Sequence, residues 1–163
     1  TPLYSSAASD VYKRQMVQIA GREAGRLGPG RRRALGLHFV PEERLGRGAV
    51  PSMGLAHNLL LTRKTALGAG GWIRMGQLQE QARAIIARFN VKAGGPNAAA
   101  QSLSGGNLQK FIVGREIDAR PKLLIISQPT WGVDVGAAAQ IRGAILQLRD
   151  EGCAVLVLSL IHI

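Results

Sequence analysis

The sequence predicts an α/β fold built on a parallel sheet, and three observations carry that prediction. Residues 122–127 and 153–158 are short apolar runs of strand length. Apolar residues at helical spacing lie between these runs, and parallel neighbouring strands need such a crossover. Hydrophobic residues make up 46% of the 163 residues, so the chain can bury a core. We therefore expect a strand–helix–strand unit with parallel strands and a right-handed crossover.

The second half contains three predicted helices, each with one apolar face. Their apolar positions are Leu78, Ala82, Ile85, Ile86 and Phe89 in the first, Leu108, Phe111 and Ile112 in the second, and Ile141, Ala144, Ile145 and Leu148 in the third. A loop of small residues at 92–101 separates the first two helices, and Pro121 ends the second. Residues 129–136 are predicted to be a loop, and Gly152 occupies the expected C-terminal cap of the third helix.

The first half is rich in glycine and weakly patterned. Residues 17–20 are expected to end a strand, and residues 36–41 to form a short strand that leads into a loop. Residues 45–71 give no secondary-structure assignment. The terminal segments, 1–15 and 159–163, resemble translated sequencing-adapter text, so residues 16–158 are expected to be the native part of the chain.

Charge and composition leave one alternative class open. The 21 Lys and Arg residues against 10 Asp and Glu give a net charge of +11, which suits a basic nucleic-acid-binding domain. Aromatic residues at 4% weaken that alternative, because a single-strand platform needs rings on which bases stack. The single cysteine, Cys153, cannot form an internal disulfide and favours a reducing compartment. His38 and His57 have no neighbours at metal-ligand spacing, and no metal ligand is predicted.

Residues 103–110, with the sequence LSGGNLQK, are the most informative run in the chain. Two consecutive glycines allow a tight turn in which the backbone comes close to a ligand. The unsatisfied amides of the following helix and its dipole favour an anion such as phosphate, and the Ser104 hydroxyl adds a donor. For an isolated Ser-Gly-Gly the alternative is a plain helix start with serine as its cap.

Further motifs follow in a fixed order. Residues 123–130 are LLIISQPT, and residues 132–137 are GVDVGA. Here the chain resembles the ATP-binding subunits of ABC transporters, through the LSGG signature, a Walker B strand and a D-loop. More narrowly, it is similar to the second nucleotide-binding domain of the tandem subunits of bacterial simple-sugar and nucleoside importers. Residues 36–58 resemble the Q-loop region of that group.

The resemblance implies a partial P-loop NTPase domain of the ABC type, with a parallel core sheet and a helical subdomain. It also implies roles for individual positions. The signature, which would contact the γ-phosphate, comprises Ser104, Gly105, Gly106 and Asn107. Glu42 is at the position of the Q-loop glutamine, and Asp134 matches the D-loop aspartate that reaches across the dimer.

The chain departs from the family pattern at further places. Ser127 occupies the Walker B aspartate position and Gln128 the catalytic glutamate position, so neither supplies a carboxylate. Since Gln128 can orient a water but cannot accept its proton, this domain's own site is expected to bind nucleotide and hydrolyse it poorly. No G-x-x-x-x-G-K-[ST] motif is present, so the Walker A region is expected to be missing and this chain alone inactive. Leu160 follows Ser159 where the H-loop histidine is expected.

The resemblance implies the ATPase component of a bacterial ABC importer for simple sugars or nucleosides. Its signature would act in trans on ATP and Mg²⁺ held mainly by the missing Walker A and the partner nucleotide-binding domain. Transmembrane permease subunits and, indirectly, an extracytoplasmic substrate-binding protein would be further partners, at the cytoplasmic face of the inner membrane. No nucleic acid is expected. The alternatives are the basic nucleic-acid-binding domain and a non-hydrolysing regulatory nucleotide-binding module.

Overall fold

A computed structural model describes residues 17–63 and 72–159 of the chain. In chain order the elements are β1 (Gln18–Ile19), β2 (Arg22–Glu23), α1 (Pro29–Ala34), β3 (Leu37–Val40), α2 (Leu55–Leu60), α3 (Met75–Arg88), α4 (Gly105–Asp118), β4 (Leu123–Ser127), α5 (Val135–Asp150) and β5 (Ala154–Leu158). The expectations for residues 1–15, for residues 160–163 and for the H-loop position lie outside the described residues.

The core sheet has three parallel strands in the order β3-β4-β5. In its register Leu124 of β4 lies opposite His38 of β3 and Val155 of β5. Because α5 connects β4 to β5, the predicted strand–helix–strand unit with parallel strands is confirmed. The short strand predicted at residues 36–41 is confirmed as well, and it lies on the other side of β4.

The two faces of this sheet differ in burial, and only one of them faces the core. Leu124 and Ile126 are buried in a core shared with α4 and α5. Side chains on the second face stay accessible, with Phe39 43% exposed and Leu156 and Leu158 each 50% exposed. Successive side chains of a strand point to opposite faces, so covering one face of the described sheet buries only every second residue.

Helix α2 packs against α3 and α3 against α4, while α4 also packs against β3 and α5. The helix α3 was predicted from its apolar stripe, whereas α2 lies in a segment without clear periodicity. Gly114 of α4 lets the two longer helices approach closely, because a Cβ added there would lie 2.6 Å from Cδ2 of Phe89. Phe89 and Phe111 are both fully buried at this contact region of the core.

Helix α4 is buried around most of its circumference, which corrects the prediction of a single apolar face. The buried Glu116 carboxylate lies 2.6 Å from Nδ1 of His38 and accepts hydrogen bonds from Arg33 and Arg115, each at 2.8 Å. Burial raises the pKa of Glu116, but His38, Arg115 and Arg33 together outweigh it and lower that pKa to about 2. Because these charged groups of α1, β3 and α4 are paired with one another, α4 can be buried in the core.

The segment at residues 17–20 does not end a strand of the parallel sheet. Residues Gln18–Ile19 pair antiparallel with Arg22–Glu23 in a small separate hairpin. Ala20 and Gly21 form its turn with φ values of +50° and +73°, as two-residue hairpin turns require. Within residues 17–63 and 72–159, every helix is too short or too polar to span a bilayer.

Candidate functional site

A cavity of about 840 Å³ opens at the carboxyl edge of the sheet. Pro41 after β3, Ser127 at the end of β4 and Leu158 at the end of β5 all line it. In open α/β sheets, ligands bind in the crevice outside the carboxyl ends of the strands. The cavity brings together Glu42 and Ser127, two of the residues singled out in the sequence.

The charged groups around this cavity are largely engaged in ion pairs with acidic side chains. Its lining includes Arg33, Arg47 and Arg115 against Glu42 and Glu43. The Glu43 carboxylate already accepts from Nε of Arg47 at 2.8 Å. Within the described parts of the chain, no three His, Cys, Asp or Glu side chains group to hold a metal. With serine at position 127, the end of β4 offers a hydroxyl and no carboxylate to a Mg²⁺ ion.

The signature turn lies at the exposed start of α4. Ser104 is the N-cap of this helix, and its Oγ accepts from Nδ2 of Asn107 at 2.9 Å and from the Asn107 backbone at 3.5 Å. Oδ1 of Asn107 in turn accepts from the backbone N–H of Lys92 at 2.9 Å. Because Oγ is the acceptor in these contacts, its own proton can be donated to a ligand. Capping and anion binding are therefore compatible at this serine.

The loop after β4 lies beside the signature turn. A Cβ added to Gly106 would lie 3.8 Å from the carbonyl oxygen of Gly132, so the two segments are in contact range. Asp134 caps α5, with Oδ1 accepting from the Ala137 backbone at 2.8 Å. That backbone hydrogen bond is the main reason why the pKa of Asp134 is lowered, so the cap is ionised.

Gln128, the residue after β4, has an unusual backbone and a buried side chain. Its φ of +47° is in the left-handed region, which costs a non-glycine residue on the order of 1 kcal/mol. The backbone N–H donates to the carbonyl of Leu158 at 2.7 Å, and only 8% of the residue is exposed. The strand end therefore holds Gln128 in a defined position next to the cavity residue Ser127.

Arg44 connects these segments, and no pattern in the sequence indicates this role. Its Nε donates to Oε1 of Gln109 at 3.0 Å, and its Nη2 donates to the carbonyl of Trp131. Nε2 of Gln109 donates onward to the carbonyl of Pro129 at 3.2 Å. Partial burial lowers the pKa of Arg44. One arginine of the loop after β3 thus reaches both α4 and the loop after β4.

The chain has clear relatives among known proteins, although no protein-family model matches it. It is 45% identical over 122 residues to a nucleoside import ATP-binding protein of Lactococcus lactis, 37% over 145 residues to a guanosine import ATP-binding protein of Bacillus subtilis, and 34% over 143 residues to a ribose import ATP-binding protein of Halalkalibacterium halodurans. These matches include 74%, 88% and 88% of this chain, but only 24%, 28% and 29% of the respective relatives.

Solved structures agree on the fold. A dimeric ATP-binding cassette in a post-hydrolysis state with ADP and Pi superposes with a TM-score of 0.69 over 88% of this chain and 61% of that chain, at 17% identity. The fold is thus that of an ATP-binding cassette. Its sequence relatives are import ATP-binding proteins, and the chain spans about a quarter of their length.

Proposed function

We propose that the chain is part of the ATPase subunit of a bacterial ABC importer for simple sugars or nucleosides. Residues 16–158 would form the later part of one nucleotide-binding domain, whose Walker A segment would precede them. The observation that carries the proposal is the signature turn, where the N-cap Ser104 and the following Gly105 are exposed at the start of α4. A turn on an open surface suits ATP that is held by a partner domain and reached in trans.

The chemistry proposed for this turn is electrostatic. The Ser104 hydroxyl and the first amides of α4 would donate hydrogen bonds to the γ-phosphate as its negative charge develops. ATP, when bound, supplies the phosphoryl group whose transfer to water drives transport. Since Ser127 and Gln128 supply no carboxylate where the family pattern has two, we assign no Mg²⁺ ligand to these positions.

The residue at the catalytic glutamate position determines what this domain can do by itself. The Gln128 side-chain amide can orient a water molecule, but it cannot take up a proton at pH 7. We therefore infer that any site formed around Ser127 and Gln128 turns over slowly. Most hydrolysis would occur at the composite site to which this domain contributes its signature.

The proposed partners follow from the same arrangement. They are a second nucleotide-binding domain, transmembrane permease subunits and, indirectly, an extracytoplasmic substrate-binding protein, at the cytoplasmic face of the bacterial inner membrane. The names of the relatives, which describe nucleoside, guanosine and ribose import, support this proposal. They do not favour the nucleic-acid-binding alternative.

The test is Ser104→Arg in the full-length subunit assembled with its permease. The long cationic side chain would fill the turn, so transport-coupled ATP hydrolysis is expected to fall to background. Ser102→Arg is the matched control, because Ser102 is equally exposed two residues earlier and lies outside the turn. Unchanged turnover in Ser104→Arg, with the control also active, would contradict the proposed role of the signature.

A further inference from the structure

We propose that Arg44 is a positioning residue, which holds the signature turn in register with the loop after β4. The inference rests on the proposed function, because the reaction that it would serve is ATP hydrolysis at the composite site. Arg44 would connect three segments of this chain. These segments are the loop after β3, the start of α4 and residues 128–134.

The first line of support is the pair of hydrogen bonds that the guanidinium makes to different segments. Nε donates to the Gln109 side chain on α4 at 3.0 Å, while Nη2 donates to the Trp131 carbonyl after β4. The partners are 65 and 87 residues away from Arg44 in the sequence. A side chain that bridges such distant segments fixes their relative position.

The second line of support is the close packing of glycines around the guanidinium. A Cβ added to Gly105 would lie 2.7 Å from Nη1 of Arg44. A Cβ added to Gly132 would lie 3.2 Å from Nη2, and Gly132 has a φ of +61°. Arg44 therefore lies directly against the second residue of the signature turn and against the loop that leads to Asp134.

Gln109 extends the connection. This residue is only 1% exposed, and its Oε1 accepts from Arg44 while its Nε2 donates to the Pro129 carbonyl at 3.2 Å. The bond from Arg44 fixes which end of the amide faces the loop. The loop is thus held at Pro129 and at Trp131, and the Trp131 N–H donates to the Gln128 carbonyl at 3.2 Å. Moving Arg44 would loosen the segment that contains Gln128.

The geometry requires arginine rather than any cation. A planar guanidinium presents several N–H donors in a fixed fork, so Nε and Nη2 can serve two acceptors at once. A lysine ammonium is a single point charge at the end of a flexible stem. We therefore expect Arg44→Lys to keep the charge and lose the bridge.

The first measurement is steady-state ATP hydrolysis by the full-length subunit with its permease. Arg44→Ala and Arg44→Lys are expected to lower kcat by about 10- to 100-fold, the loss typical of a small misplacement of reacting groups. The KM for ATP should change by less than about 3-fold, because the partner domain would make most of the contacts that bind ATP. Arg83→Ala is the control, since Arg83 is an exposed arginine on α3, away from the signature turn and the cavity.

The second measurement is amide hydrogen exchange of the same full-length variants without nucleotide. In Arg44→Lys, peptides that include residues 103–110 and 128–134 are expected to exchange faster than in the wild type, while peptides from α3 are unchanged. Arg83→Ala should leave the peptides of residues 103–110 and 128–134 unchanged. Rescue of kcat by lysine, or equal exchange of these peptides in Arg44→Lys and Arg83→Ala, would overturn the proposal, and so would a uniform increase throughout the chain.

The two proposals fail in different experiments. If the signature does not act in trans, Ser104→Arg will show normal turnover. Failure of the positioning role would appear in the exchange data, which need neither ATP nor turnover. If Arg44→Ala does not fold, Arg44→Lys, which keeps the charge and the aliphatic stem, carries both measurements.

Discussion

At the scale of single residues, two side chains of the site combine helix capping with a proposed contact to the partner domain. Ser104 and Asp134 each cap a helix through an oxygen atom, at the start of α4 and of α5. Both are also the residues that would meet the partner domain. The capping task follows from this chain's own hydrogen bonds, so variants that keep one task and remove the other can separate them.

For Asp134 the separating pair is Asn and Ala. Asparagine keeps the oxygen that accepts from the Ala137 backbone and removes the charge, whereas alanine removes both. Asp134→Asn should therefore leave the thermal midpoint close to that of the wild type, and Asp134→Ala should lower it. Differential scanning calorimetry of both variants tests this expectation. Equal midpoints for the two variants would show that the cap contributes nothing.

Arg44 shows where inference from sequence ends at this scale. The signature turn was predictable because a helix start is encoded within four consecutive residues. The bridge from Arg44 to Gln109 and Trp131 joins positions 65 and 87 residues apart, and no local pattern encodes it. The same holds for Glu116, whose partners His38 and Arg33 belong to the other half of the chain.

At the scale of elements, periodicity predicted α3, α4, α5, β4 and β5 well, because apolar spacing is a local property. It failed for α2, which has six residues, and for the two-residue strands of the hairpin. Elements of this length contain less than two helical turns or one strand repeat. Their existence depends on packing against distant segments.

The contact between α3 and α4 gives a prediction for Gly114. Because an added Cβ would lie 2.6 Å from the buried Phe89 ring, Gly114→Ala should destabilise the chain by about 1–3 kcal/mol through overpacking. Gly143 on α5 is the matched control, since it is exposed in a helix and a Cβ there meets nothing within 4 Å. Gly143→Ala should stabilise by about 0.5–1 kcal/mol.

Urea denaturation of the two glycine variants measures both effects in one experiment. Opposite signs of the change in unfolding free energy are expected. Stabilisation by Gly114→Ala would mean that α3 and α4 are further apart than the structure shows.

At the scale of the whole molecule, the net charge of +11 no longer favours a nucleic-acid-binding domain. Arg33 and Arg115 are paired with Glu116, and Arg63 is paired with Asp118. Part of the positive charge therefore stabilises the fold and does not form a surface for nucleic acid. The relatives, which are import ATP-binding proteins, point the same way.

The buried carboxylate also makes the stability of the chain depend on pH. The pKa of Glu116 falls from 4.5 to about 2 in the folded chain, because His38, Arg115 and Arg33 outweigh the effect of burial. A carboxyl group whose pKa is lower in the folded chain stabilises the fold at pH values above its unfolded pKa, here by about 3 kcal/mol. This stabilisation is lost as the pH falls from about 5 to about 2.

Glu116→Gln tests this assignment. The variant should be less stable at pH 7, because Arg115 would be left buried without its anion. It should also lose most of the acid dependence, so its unfolding free energy should change little between about pH 5 and pH 3. Urea titrations at several pH values measure both. The same acid slope in the variant and the wild type would assign that slope to other carboxylates.

The most direct measurement compares ATP affinity with ATP turnover in the full-length Ser104→Arg subunit. If the signature acts in trans, the dissociation constant for ATP should change by less than about 3-fold, since the partner domain makes most of the contacts that bind the nucleotide. Turnover should fall to background in the same preparation. A variant that binds ATP normally and hydrolyses it at the wild-type rate would contradict the assignment of this turn to the composite ATP site.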